Sequence, residues 1–165
     1  MNSKKIIRSL LVLSLISMNI GCDQFSKQFV RKNIAADESF QFLSNHVTIT
    51  KLENRGAFLS LGDSLAKPLR NVILSVLPLL ALTLGLFYIL TRTDISNVSL
   101  YGACFIIGGG IGNIFDRVVY GSVTDFLYIH FRFFHTGVFN LADTSIMTGS
   151  FIILLHYIMK RKNQP

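Results

Sequence analysis

Cysteine is scarce in this sequence, and acidic side chains are few. The 2 cysteines, Cys22 and Cys104, both lie within apolar segments, which argues against a disulfide framework or a zinc-binding cysteine set. The 9 acidic residues are outnumbered by 16 lysines and arginines, so the formal net charge is +7. These basic residues include short terminal clusters but form no basic stripe with interleaved aromatic residues, which argues against a nucleic-acid partner. No internal repeat or low-complexity tract is evident.

Apolar residues, in contrast, are abundant. Hydrophobic residues make up 50% of the 165 positions and the mean hydropathy is +0.48, which is too apolar for an ordinary soluble domain. They come in four blocks, each about the 17 to 25 residues that a membrane-spanning helix needs. The blocks are Ile6 to Cys22, Val72 to Leu90, Val98 to Phe115 and Leu141 to Met159. The sequence therefore predicts a mainly α-helical membrane protein, with four transmembrane helices in a single domain over residues 1–165.

The distribution of basic residues predicts how these helices are oriented. An even number of spans places both termini on one side of the membrane. Basic residues mark the short segments on that side, namely Lys4, Lys5, Arg8, Arg92, Lys160, Arg161 and Lys162. By the positive-inside rule this side is the cytoplasm, and the loops 23–71 and 116–140 face outward.

Both outer loops contain a candidate strand. Residues 45–52 alternate and are rich in β-branched residues, and Val123 to Phe131 is a second extended candidate. Since both lie on the same outer face, we expect them to pair into a small extracytoplasmic sheet.

Two aspartates, Asp125 and Asp143, lie beside apolar segments near the outer membrane interface. A carboxylate inside the membrane costs about 2.5 to 3.5 kcal/mol on insertion scales, so such a group is a functional candidate. Two carboxyls in a low-dielectric cleft share one proton, and one then serves as a base toward water and the other as an acid toward a carbonyl, as in aspartic proteases. Simpler roles stay open, because Asn140 and Asp143 have capping-box spacing and Asp125 fits a solvated loop acid.

The histidines and glycines suggest other chemistries that the spacing disfavours. His46, His130 and His135 do not form a metallopeptidase pattern, and His156 lies deep in the last span, as a packing residue would. No strand precedes the glycine run of the third span, so close helix packing explains it better than phosphate binding. That run consists of Gly108, Gly109, Gly110 and Gly112.

The end of the first apolar block looks like a lipid-attachment cleavage site, Asn19-Ile20-Gly21-Cys22. Asn19 is a poor residue three positions before the cysteine, and the chain returns to the membrane three more times. A retained first helix is therefore favoured over a cleaved signal. The alternative, that this protein is itself a lipoprotein processed at Cys22, predicts a shortened and lipid-modified N-terminus.

Five short motifs occur in order among the four spans. They are Asp23-Gln24 with Lys27, Asn54-Arg55-Gly56-Ala57, Gly110-Ile111-Gly112-Asn113 with Asp116-Arg117, Gly121-Ser122-Val123-Thr124-Asp125-Phe126, and Phe139-Asn140-Leu141-Ala142-Asp143. Together they resemble the lipoprotein signal peptidases, the type II signal peptidases of bacteria, and the resemblance runs nearly end to end. One departure is Phe58, an aromatic that stands one place earlier after the Asn-x-Gly than is common in the family.

The resemblance implies four helices with a small extracytoplasmic sheet, and an aspartic endopeptidase of the bacterial cytoplasmic (inner) membrane. The family cleaves signal peptides from diacylglyceryl-modified prolipoproteins immediately before the lipidated cysteine. Position by position, it implies that Asp125 and Asp143 form the catalytic dyad. The residues implied to bind substrate or orient the dyad are Asn54, Gly56, Asn113, Arg117 and Asn140, and those of a structural motif are Asp23 and Lys27.

The same resemblance sets the expected partners. Water is the nucleophile, so no metal and no cofactor is expected, and a monomer meets its prolipoprotein substrate and membrane lipid near the outer face. The alternative is a non-enzymatic channel or transporter subunit whose buried acids bind ions. A transport pathway needs polar groups through the bilayer depth, whereas here they crowd at one face.

Overall fold

The computed structural model describes residues 3–57 and 61–162. Within them, four helices are long and apolar enough to cross a membrane, as predicted. They are α1 (Ser3–Asn33), α2 (Lys67–Thr91), α3 (Asn97–Tyr120) and α4 (Leu141–Lys162). The displaced aromatic Phe58 lies outside the described residues.

Helix α1 continues past Cys22, where the apolar block ends, and reaches Asn33. At 31 residues it is about 46 Å long, which exceeds the hydrocarbon core of about 30 Å. The extension holds because its polar residues face inward: Asp23 and Lys27, one turn apart, are fully buried and form an ion pair of 2.8 Å. This pair is enclosed between the helices, and neither side chain is exposed.

Helix α3 is the central helix and packs against the other three. Its glycines allow close approach on three sides. A Cβ at Gly108 would meet Asn19 of α1, one at Gly109 would collide with the carbonyl oxygen of Ala142 in α4, and one at Gly110 would meet α2. The prediction that the glycine run serves helix packing is confirmed.

Both ends of α3 are defined by local hydrogen bonds. The Ser96 side chain accepts the N–H of Ser99 at 3.2 Å and caps the start. At the other end Gly121 adopts a left-handed conformation with φ of +78°, and its N–H donates to the Arg117 carbonyl at 3.1 Å. This cap turns the chain directly into the second outer loop.

The two outer loops form one antiparallel sheet in the order β1-β2-β3-β4. Its strands are β1 (Ser39–Phe42), β2 (Val47–Asn54), β3 (Val123–Phe131) and β4 (Phe134–His135). The predicted strands thus exist, pair as expected through β2 and β3, and have the predicted bounds in β3. An irregularity between Ile49 and Leu52 shifts the register, so that Leu52 lies opposite Asp125.

Hydrophobic packing fixes this sheet to the helices. A first buried cluster joins α1, α2 and α3 and includes Val12, Ile89 and Leu100. A second one joins the end of α1 to β3 through Val30, Ile34 and Phe126. The end of β2 and the start of β3 therefore lie over the end of α3, beside the start of α4.

Candidate active site

One side chain, Asn140, connects Asp125 on β3 to Asp143 in the first turn of α4. Its Nδ2 donates to Asp125 Oδ1 at 2.6 Å, and its backbone N–H donates to Asp143 Oδ2 at 3.2 Å. Its Oδ1 in turn accepts the backbone N–H of Asp143 at 2.9 Å. The predicted capping box is present, and the same residues bring the two aspartates together.

Two further asparagines complete the hydrogen bonding of this pair. Asn54 Nδ2 donates to Asp125 Oδ2 at 2.9 Å, and Asn113 Nδ2 donates to Asp143 Oδ1 at 2.8 Å. Each of the four carboxylate oxygens therefore accepts an N–H. Asn140 also donates to Asn113 Oδ1 at 3.2 Å, which links the two halves.

A cavity of about 30 Å³ lies between these groups. A space of this size is large enough for one water molecule, and the polar groups that converge on it could bind that water. Its lining consists of Asn54, Ala57, Asn113, Arg117, Val123, Asp125, Val138 and Asp143.

The environment of Asp125 favours its protonated form. The residue is only 2% exposed, and burial is the largest cause that raises its pKa, to about 6. The hydrogen bond from Asn54 opposes this shift, while the charge of Asp143 adds to it. Asp125 therefore keeps a proton at pH values where an ordinary aspartate has lost it.

Arg117 attaches the first outer loop to the end of α3. Its Nη2 donates to the Gly56 carbonyl at 2.9 Å, and the Gly56 N–H donates to Asn54 Oδ1 at 2.9 Å. In the part of the chain that the structure describes, the buried Nε of Arg117 has no hydrogen-bond partner. A charged donor is thus held at the cavity wall.

Asp23 and Lys27 of α1 also contact residues of this site. The buried Lys27 ammonium donates to Asp23 at 2.8 Å and to Asn113 Oδ1 at 2.9 Å. Asp23 Oδ1 accepts the backbone N–H of Ala142, the residue before Asp143, at 2.9 Å. The motif therefore touches both the Asn113 amide and the start of α4.

Asp116 is a member of this cluster that the sequence-based site did not include. Its carboxylate contacts Lys27 at 3.1 Å and Arg31 at 2.9 Å, and it is fully buried. Arg31 also donates to the Thr124 hydroxyl at 2.7 Å and so reaches the residue before Asp125. The signal that could have identified Asp116 is its position at the end of an apolar helix. A buried acid there requires a cation as its partner.

The histidines lie away from the aspartates. His46, His130 and His135 are at the far end of the sheet, where His46 Nδ1 contacts the His130 carbonyl oxygen at 2.9 Å. His156 contacts the Ser96 hydroxyl at 2.9 Å, at the end of α3 opposite to the site.

Known proteins are similar to this chain in sequence and in fold. Residues 15–159 match the family model described as signal peptidase (SPase) II. The lipoprotein signal peptidase of Solibacter usitatus is 33% identical over 141 residues, which cover 85% of each chain. That of Enterococcus faecalis is 33% identical over 159 residues, covering 94% of this chain and 92% of the relative.

Solved structures agree at the level of the fold. A bacterial membrane enzyme determined by the in meso method at 2.3 Å resolution superposes with a TM-score of 0.83 at 19% identity, over 94% of this chain and 92% of that one. A second, at 1.9 Å resolution, gives a TM-score of 0.76 at 21% identity, over 89% and 92% of the two chains. With its family match over most of its length, the chain belongs to the signal peptidase II family.

Proposed function

We propose that Asp125 and Asp143 are the catalytic pair of a membrane-embedded aspartic endopeptidase, which removes signal peptides from diacylglyceryl-modified prolipoproteins just before the lipidated cysteine. Membership in the signal peptidase II family supports the reaction. The observation that supports the two residues is their geometry: two buried or half-buried carboxyls, joined through Asn140, border one small cavity.

The environments of the two carboxyls divide the roles. Asp125, whose pKa burial raises to about 6, holds the shared proton and acts as the acid. Asp143 lies in the first turn of α4, where backbone N–H groups and the helix dipole favour negative charge, and acts as the base.

The chemical steps follow from these roles. Asp143 takes a proton from the water in the cavity as the water oxygen bonds to the scissile carbonyl carbon. Asp125 gives its proton to the carbonyl oxygen, which yields a tetrahedral gem-diol. The C–N bond then breaks, the nitrogen of the leaving cysteine gains the proton held by Asp143, and a diol hydroxyl returns one to Asp125.

The neighbouring polar residues keep this geometry. Asn54, Asn113 and Asn140 fix the orientation of both carboxyls through one N–H for each oxygen. Arg117 and Gly56 hold the loop that borders the cavity, and the Nε of Arg117, which has no partner among the described residues, is a donor for a substrate carbonyl. Preorganised donors of this kind stabilise charge that develops in the transition state.

The position of the pair fits a substrate that stays in the bilayer. The dyad lies at the ends of α3 and α4 that carry the sheet, which we assign to the outer face, with both termini in the cytoplasm. A monomer at this boundary receives a lipidated precursor sideways, with its acyl chains still in membrane lipid.

The proposal is tested with the purified full-length protein in detergent and two forms of one precursor, with and without the diacylglyceryl group on the cysteine. We expect cleavage of the lipidated precursor alone, and product masses that place the cut immediately before the cysteine. Equal cleavage of both forms would refute the lipid requirement. A folded protein that cleaves neither form would refute the peptidase function.

A further inference from the structure

The four-stranded sheet has one apolar face and one polar face. Directly paired residues of antiparallel strands share a face, and alternate residues along each strand do too, so the register assigns every side chain. One face carries Phe40, Phe42, Val47, Ile49, Leu127, Ile129, Phe131 and Phe134. The other carries Ser39, Gln41, Thr48, Thr50, Tyr128, His130 and His135, together with Phe126, which is buried near the start of β3.

The apolar face is uncovered at its far end. Phe42 is 50% exposed, Phe131 is 53% exposed and Phe134 is 65% exposed. Phe133, in the turn between β3 and β4, is 99% exposed. Several exposed aromatic residues at one end of one sheet face mark an interaction site, because leaving them in water is unfavourable.

The turn between β3 and β4 contains an arginine in a backbone conformation that is unfavourable for this residue type. Phe131 pairs with Phe134, so Arg132 and Phe133 form a two-residue turn, and Arg132 has a φ of +43°. Glycine or asparagine fills such a position with less strain. An arginine in this strained conformation, next to a fully exposed phenylalanine, makes the turn a candidate for a functional contact.

The charge around this end has one sign. Residues 126–139 and 39–47 contain no aspartate or glutamate, whereas Arg132 and three histidines lie there. A cation among aromatic rings fits a surface that has phosphate groups above hydrocarbon.

The root of the sheet is at the boundary of the membrane-spanning helices. Strand β3 begins at Val123, directly after α3 ends at Tyr120, and β1 begins at Ser39, shortly after α1 ends at Asn33. Along β3, Phe131 is about 20 Å beyond Asp125 at about 3.3 Å per residue. The sheet therefore starts at the ends of the membrane-spanning helices and extends about 20 Å beyond Asp125.

We propose that the apolar face and the 131–134 turn of this sheet insert into the interfacial region of the outer leaflet. Phe131 and Phe133 lie among the upper parts of the acyl chains, and Arg132 binds lipid phosphate. The partner is the phospholipid surface itself. Because Asp125 shares this face of β3 with Leu127 and Phe131, the contact fixes the height of the reactive carboxyl relative to the bilayer.

The protein has no tryptophan, so a single introduced tryptophan reports on one position. Full-length Phe131→Trp and its neighbour on the polar face, His130→Trp, are reconstituted in vesicles of phosphatidylethanolamine and phosphatidylglycerol. Phe42→Trp and Gln41→Trp provide a second matched pair on β1. Emission is measured with lipids that carry a nitroxide close to the glycerol backbone, and with iodide in water.

We expect the lipid nitroxide to quench Phe131→Trp and Phe42→Trp more strongly than their neighbours, and iodide to quench in the opposite order. Equal quenching within each pair would overturn the proposal. So would an apolar face shielded from both quenchers, which would indicate a second copy of the chain. Lipid quenching of Phe131→Trp that appears only after precursor is added would likewise overturn it and assign the face to substrate.

Discussion

At the scale of single residues, Asn140 shows why the capping interpretation of Asp143 does not exclude the proposed catalytic one. The side chain of Asn140 caps α4, and its Nδ2 holds Asp125. The capping box places Asp143 at the start of the helix and so next to Asp125. The helix cap and the proposed catalytic pair therefore use the same arrangement of residues.

The raised pKa of Asp125 predicts the pH dependence of cleavage. The pKa lies at about 6 instead of 3.8, so the acid form persists to about pH 6 and is lost above it. Since the mechanism needs a protonated Asp125, kcat/KM should fall as pH rises through about 6, by about tenfold per pH unit thereafter. The check is a pH profile on a lipidated precursor; a value that stays constant up to pH 8 would contradict the assignment of the proton.

Lys27 tests the buried ion cluster. Its removal leaves Asp23 without its cation and removes the donor to Asn113 Oδ1. Breaking a buried pair costs about 3 to 5 kcal/mol, so Lys27→Met should lower the unfolding temperature and the cleavage rate together. Thermal unfolding in detergent measures this, with the exposed Lys32→Met on the same helix as the control; equal unfolding temperatures would show that the cluster adds little.

Sequence reasoning at this scale found the residues but not their connections. The motifs identified Asp23, Lys27 and Asn113. The contact of Lys27 with Asn113 joins positions that are 86 apart, and no local pattern reports such a distance. Asp116 was missed as a site member for the same reason, since its partners Lys27 and Arg31 are on another helix.

At the scale of elements, the close approach of α3 and α4 positions the aspartates. Gly109 lies against the Ala142 carbonyl, in the first turn that carries Asp143. Gly149 and Gly102 make the same approach about two turns deeper. In membranes the hydrophobic effect does not drive helices together. Small residues promote helix association instead, because they permit close backbone contact.

Gly109→Ala should separate these two helices. The added methyl group collides with backbone and not with a flexible side chain, so about 1 to 3 kcal/mol of stability should be lost, and cleavage should fall as Asp143 shifts. Gly21→Ala on α1 is the matched control, because its Cβ meets nothing within 4 Å. Thermal unfolding and the cleavage rate are measured on both; an unchanged Gly109→Ala protein would refute the packing account.

Element boundaries were predictable where a local pattern sets them. Strand β3 has the predicted bounds, because alternation and the Gly121 cap are local. The end of α1 was not predictable from hydropathy, because inward-facing ions continue the helix beyond the apolar block. Which residues lie on each face of the sheet could be assigned only from the observed register, because a one-residue slip of a strand exchanges its two faces.

At the scale of the whole molecule, the four spans and the shared sheet place residues 34–57, 61–66 and 121–140 on one side. By the positive-inside rule, the basic residues at the opposite ends predict that this side is the exterior. The treatment of residues 1–165 as a single domain stays a prediction.

Cysteine labelling tests this orientation. In a background with Cys22→Ala and Cys104→Ala, we expect Ser64→Cys to react with an impermeant maleimide in intact spheroplasts. Thr93→Cys, in the turn between α2 and α3, should react only after permeabilisation. The reverse pattern would place the proposed site on the cytoplasmic side.

The central claim is that Asp125 and Asp143 perform the chemistry, and single substitutions test it most directly. The measurement is the cleavage rate of a lipidated precursor by Asp125→Asn, by Asp143→Asn and by the control Asp63→Asn, which changes an exposed acid of the outer loop. All three proteins must show the unfolding transition of a folded membrane protein. We predict that both dyad variants lose cleavage, because the amide keeps the shape and removes the proton transfer, while Asp63→Asn retains it. Substantial cleavage by a folded Asp125→Asn or Asp143→Asn protein would contradict the assignment and move the chemistry elsewhere.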